Sequence, residues 1–165
     1  MTNSSVLILG MGNKLFGDDG VGIVIAENLK GLLSDRKSVT VKTTNWGGFR
    51  VIDLLSGFDR AIIIDAFQTN SQPPGCISKY DYNEIIHSVR MISFHDINFA
   101  TAVEFAKQMD IPMPESITIY GIEIINTNEF SEELTKEVEA SVDKCVPIIM
   151  NELDTLIMTE NQLLG

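Results

Sequence analysis

The segment GMGNKLFGDDGVG, Gly10 to Gly22, follows directly on the apolar run VLIL, Val6–Leu9. A glycine-rich loop between a buried strand and a helix is the usual cradle for a phosphate group. This loop instead carries two adjacent carboxylates, Asp18 and Asp19, where the helix would begin. The dinucleotide pattern G-x-G-x-x-G needs a third glycine where this chain has Leu15, and no G-K-S/T follows. Like charges repel, so phosphate is disfavoured by electrostatics as well as by pattern. The positive end of a helix favours negative charge, and an ionised carboxylate is a good ligand for a cation. Asp18 reads as the N-cap of the following helix. For Asp19, one residue further in, a ligand role and a solvated first-turn acid both stand.

The rest of the chain places that loop in an α/β domain. A length of 165 residues is enough for one domain to bury a core without disulfide or metal staples. Val6–Leu9 is expected as a strand and the stretch from Gly20 to Leu33 as a helix, with Val21, Val24, Ile25 and Leu29 at helical spacing. Val39–Thr44 alternates as a strand, Asn45–Gly48 is a loop and Phe49–Leu55 a short helix. Ala61–Ile64 is a continuous apolar run, the mark of a strand covered on both faces. Pro73, Pro74 and Gly75 form a turn before a strand at Cys76–Tyr80, and Asp81–Val89 is weakly helical. Asp96 is expected to N-cap a helix reaching Met109, with Phe99, Val103 and Ala106 on one face. Pro112 and Pro114 end it before a long strand, Ser116–Ile125. Ser131, followed by Glu132 and Glu133, is expected to open a final helix that Pro147 kinks or divides. This alternation predicts a single domain, a three-layer sandwich with a mostly parallel twisted sheet flanked by helices.

Composition narrows the function. A formal net charge of −11 repels nucleic-acid phosphates and anionic membranes, so neither is expected as a partner. No apolar run has the length of a membrane span or of a signal-peptide core, and a cytoplasmic location is expected. Cys76 and Cys145 are far apart and form no metal or redox motif. Neither has a histidine or basic neighbour in sequence to activate it, so a thiol mechanism is disfavoured.

Two further residues extend the site. Asp65 stands immediately after the apolar run and is read as closing that strand. In open α/β sheets the carboxyl ends of strands form the ligand crevice, so Asp19 and Asp65 are expected on one rim. A turn-capping role for Asp65 remains equally open. Of the two histidines, His87 lies among polar residues and reads as solvated, while His95 precedes a helix start. Imidazole with two carboxylates suits a borderline divalent cation such as nickel or zinc, although a structural histidine is the commoner case.

Together these segments resemble the maturation endopeptidases of [NiFe] hydrogenases. The most specific part is G-x-G-N-x-L-x-x-D-D-x-x-G, filled by Gly10, Gly12, Asn13, Leu15, Asp18, Asp19 and Gly22. The strand ending in Asp65-Ala66 and the later His95 follow in the family's order. The resemblance implies removal of a C-terminal extension from the hydrogenase large-subunit precursor once nickel is in place. It implies Asp19, Asp65 and His95 as both the catalytic and the metal-engaging residues. Nickel would be presented by the substrate, and zinc or cadmium would fit the same site. A monomer or weak oligomer is expected. One departure is the loop after the second strand, Asn45-Trp46-Gly47-Gly48-Phe49, where the family tends to have an acidic or small residue, Gly-Gly and Thr. Trp46 is read as covering the sheet edge, with packing on the substrate as the alternative. Two mechanisms stand: substrate nickel as recognition tag and Lewis acid, or Asp19 or Asp65 as general base on a water. The competing functions are a nucleotide- or cofactor-binding module and a non-catalytic nickel chaperone.

Overall fold

Five strands form one sheet in the order β2-β1-β3-β5-β4, the strands being β1 (Val6–Met11), β2 (Val39–Thr44), β3 (Arg60–Phe67), β4 (Ile77–Asp81) and β5 (Ser116–Glu123). The structure, a computed structural model, describes residues 4–85, 96–125 and 129–163. β1 pairs in parallel with both β2 and β3, and β3 with β5, while edge strand β4 runs antiparallel to β5. The helices are α1 (Val21–Leu32), α2 (Arg50–Leu55), α3 (Tyr82–Ile85), α4 (Asp96–Gln108) and α5 (Lys136–Leu163). The expected three-layer α/β sandwich is therefore what forms.

Each face of the sheet has its own core. Val6, Ile8, Ile62, Ile64 and Ile122 pack under α1 and α5, where Val21, Ile25, Val138 and Ile149 meet them. Leu7, Leu9, Ala61, Ile63 and Ile119 pack under α2 and α4, against Val51, Leu55, Phe99 and Val103. Because side chains alternate along a strand, one unbroken apolar run feeds both cores. All six residues of β1 are buried accordingly.

Two boundaries and one expected helix break are the main differences from the sequence reading. β3 does not end at Ile64: Asp65 lies inside it, paired with Gly121, and pairing continues through Phe67 opposite Glu123. A long partner strand carries the ladder past a charge that local pattern takes as a stop. The last helix begins at Lys136 rather than Ser131. Ser131 forms an isolated parallel bridge with Phe16, donating its N–H to the Leu15 carbonyl while its own carbonyl accepts from Gly17. Pro147 lies within α5, whose helix runs on past it to Leu163.

Candidate functional site

The strand order fixes where a site can form. From β1 the chain crosses to β2 on one side, and from β2 it returns past β1 to β3 on the other. The crevice beyond the carboxyl ends of β1 and β3 is thus the topological switch point, where open α/β sheets bind ligands. The glycine-rich loop leaves β1 on one side of this crevice, and Asp65 lies on β3 at the other. Gly10 is in register with Ile64, so Asp65 stands level with the end of β1. Asp65 is buried, 2% exposed, and accepts a hydrogen bond at Oδ1 from the Ala66 N–H at 2.9 Å. By alternation it shares the sheet face of Ile63 and Phe67, against which α4 packs through Phe99 and Val103.

The loop is tightly folded. Asn13 Oδ1 accepts the Leu15 N–H at 3.0 Å, and the Asn13 carbonyl accepts the Phe16 N–H at 3.1 Å. Gly17–Gly20 forms a 3-10 turn leading into α1. Its glycines answer to backbone crowding. Gly12 has φ +138°, and a Cβ there would come within 1.9 Å of the Asp19 carbonyl oxygen. A Cβ on Gly22 would meet the carbonyl oxygens of Ile64 and Met11 at 2.3 and 2.4 Å. Gly22 therefore serves the close helix-to-strand packing that the third glycine of a dinucleotide loop serves, at a longer spacing.

Within the 3-10 turn the two aspartates part company, since successive residues there point about 120° apart. Half-buried Asp19 holds the loop, accepting the Asn13 N–H at Oδ2 at 2.8 Å. Asp18 is buried and does not cap α1. Its Oδ1 accepts the Thr135 N–H at 2.7 Å and its Oδ2 the Thr135 hydroxyl at 2.9 Å. The Thr135 carbonyl accepts the Glu139 N–H, so Thr135 is the residue from which α5 starts. Asp18 thus ties the loop to the positive end of a helix 117 residues away, an arrangement a local capping rule cannot find.

Glu123 is a further rim carboxylate that the sequence reading missed. It is 5% exposed at the end of β5 and accepts the N–H groups of Thr69 and Asn70 at 2.9 and 2.8 Å. Its second oxygen accepts the Thr69 hydroxyl at 2.8 Å, so it orders the chain leaving β3. Nothing in the run Ser116–Ile125 marks it out. Trp46 stands beside edge strand β2, its backbone N–H donating to the Thr44 hydroxyl at 3.0 Å; it is 56% exposed, with the Arg50 guanidinium 3.9 Å from its ring centroid. It lines a groove of about 530 Å³ together with Asn13, Lys14, Leu15 and Thr44. Cys145 is fully buried under the sheet, and burial pushes its thiol up to about 12, the opposite of an activated nucleophile. His95 and His87 lie outside the described residues. Among the described residues no group of three metal-binding side chains occurs, and no helix is long and apolar enough to cross a membrane.

Known proteins agree with this architecture. The hydrogenase maturation protease family model matches residues 23–152, most of the chain, and so without help from the glycine-rich loop. A solved structure of the [NiFe] hydrogenase maturation protease HybD from Thermococcus kodakarensis is 27% identical, covering 89% of this chain and 97% of that one, with a TM-score of 0.66. The hydrogenase maturating endopeptidase HybD from E. coli shares the fold with a TM-score of 0.77 at 23% identity, over 92% of this chain and 93% of its own. The hydrogenase expression/formation protein HupD of Rhizobium leguminosarum is 23% identical over 86% of this chain and 70% of its own. The chain belongs to the hydrogenase maturation protease family and is a peptidase.

Proposed function

We propose that this peptidase removes the C-terminal extension of a [NiFe] hydrogenase large-subunit precursor after nickel insertion. The observation that carries the reading is the position of Asp19 and Asp65 on the two sides of the switch-point crevice, in a chain of this family. Asp19, Asp65 and His95, the residue before α4, are the proposed catalytic set. They supply two carboxylates and one imidazole, a donor set for a borderline divalent ion. Nickel is part of the substrate in this reading, and its own protein ligands accompany it.

Two roles then follow for the chain's residues. The three donors dock on the nickel centre, and docking brings the scissile peptide to the crevice. An aspartate of the set takes the proton of the attacking water, or the nickel polarises the water or the carbonyl and the aspartates orient it. Both routes make the loaded precursor the preferred substrate, because an empty one lacks the group that the donors recognise. The absence of a thiolate among the three donors keeps affinity for a free soft or borderline ion modest.

The test offers nickel-loaded and nickel-free precursor to chelator-washed protein and looks for the released C-terminal fragment by mass spectrometry. Fragment from the loaded precursor alone is expected. Equal cleavage of both would remove the nickel requirement, and no cleavage of either would overturn the proposed reaction.

A further inference from the structure

A second recess lies beside the first loop. It is a pocket of about 420 Å³ between the 3-10 turn, the Pro73–Gly75 turn and the chain leading into α5. Phe16, Pro74 and Ile125 give it apolar walls, and Glu129, Glu133 and Glu137 stand around it. Among the described residues no lysine or arginine lines it. None of the ion pairs between described residues involves those three glutamates. Phe130 stands at the same place, 80% exposed, its ring 4.9 Å from that of Phe16, and Ile125 is 64% exposed.

An isolated chain gains nothing from leaving a phenylalanine and an isoleucine in water beside three acids. Contiguous exposed apolar side chains rimmed by charge mark interaction surfaces. The charge selects the occupant. Three carboxylates that form no ion pair among the described residues repel an acidic segment and attract a basic one. The position selects it further. Phe16, Gly17 and Asp18 border this pocket, and Asp19 follows them in the same turn. The turn that carries the proposed catalytic Asp19 thus also forms one wall of this pocket.

We infer that this pocket is a docking site for a basic segment of the precursor that carries an apolar side chain. The inference rests on the function proposed above and adds a second contact, distinct from the nickel centre. The apolar side chain fills the space beside Phe16 and Phe130, and flanking lysines or arginines meet Glu129, Glu133 and Glu137. Docking here is independent of nickel, so it contributes affinity for loaded and empty precursor alike.

Nickel-free precursor is the suitable probe, since its binding isolates this contact from recognition of the metal. Its Kd is measured against the full chain and against the triple variant Glu129→Gln, Glu133→Gln, Glu137→Gln. A control variant, Asp35→Asn, Asp53→Asn, Glu115→Gln, removes the same charge from exposed positions elsewhere. At about a twofold loss for each exposed pair, the rim variant should bind roughly eightfold more weakly and lose most of its salt dependence. The control should bind within about twofold of the unaltered chain. Phe130→Ala should weaken binding while leaving the salt dependence in place. An unchanged Kd in the rim variant, an equal loss in the control, or no binding of nickel-free precursor at all would overturn the inference. Cleavage of loaded precursor by the unaltered chain is scored in parallel. Intact docking without cleavage would count against the proposed reaction alone.

Discussion

Asp18→Ala is the most informative single change in the glycine-rich loop. The carboxylate is buried and accepts two short hydrogen bonds from one residue, at 2.7 Å from the Thr135 N–H and 2.9 Å from its hydroxyl. Hydrogen bonds to a charged group contribute about 1.5–3 kcal/mol, and loss of a helix-capping acceptor costs about 0.5–2 kcal/mol. The two overlap here, because the capping interaction is one of the two bonds. A destabilisation of about 2–3 kcal/mol is expected for Asp18→Ala. For a chain of this length each kcal/mol lowers Tm by about 2–4 °C, so the shift should be roughly 5–10 °C. Thr135→Val keeps the backbone bond and loses only the hydroxyl, for about 1 kcal/mol, and Thr135→Ser should restore it. The two substitutions together should cost less than their sum, by about 1 kcal/mol, since they share that bond. Calorimetry or chemical denaturation of these four variants and the unaltered chain measures all of this. An Asp18→Ala protein with unchanged Tm and no cleavage activity would refute the reasoning, and would move Asp18 from the clamp into the chemistry.

Asp19→Asn should leave Tm within about 2 °C, since the amide oxygen still accepts the Asn13 N–H, yet lower cleavage of loaded precursor by about 10²–10⁴-fold; near-normal activity would remove Asp19 from the catalytic set. Gly22→Ala should cost about 3 kcal/mol or more, because its Cβ meets two backbone carbonyl oxygens that cannot rotate aside. Gly31→Ala, in the same helix with nothing within 4 Å, should instead stabilise by about 0.5–1 kcal/mol; similar behaviour of the two variants would contradict the packing described. At alkaline pH, burial pushes the Cys145 thiol from 9.0 to about 12, and burial with the nearby Glu104 charge pushes the Tyr82 phenol from 10.0 to about 12. Both groups hold their protons more tightly folded than unfolded, so stability is unaffected below about pH 9 and falls towards pH 12. The fall should reach at most about 1.4 kcal/mol per pH unit per group. Cys145→Ala should lower stability at neutral pH but flatten this alkaline slope, and an unchanged slope between pH 9 and 12 would refute the assignment.

Local pattern determined a good deal by itself. Continuous apolar runs such as Ala61–Ile64 mark strands covered on both faces, and their alternation with amphipathic stretches favours a mostly parallel α/β sheet. The spacing of glycines and carboxylates in Gly10–Gly22 carried the resemblance, and the family model matches residues 23–152, beyond that loop. Both signals are local, held in side-chain period and in single backbone conformations. What needed the tertiary structure was every property set by a partner distant in sequence. Asp65 reads as a strand end, but β5 continues the ladder past it and buries it within β3. Asp18 reads as the cap of the helix that follows it, and instead it holds the start of α5. Glu123 has no sequence signature, because its task is to accept bonds from Thr69 and Asn70 across the sheet edge. Ser131 looks like a helix start, yet its backbone is taken up in bridging to the first loop, so α5 begins five residues later. A hydrogen-bonding group spends its capacity on whichever partner the fold brings near. Sequence states what a carboxylate is able to accept, and only the packed chain decides which donor reaches it.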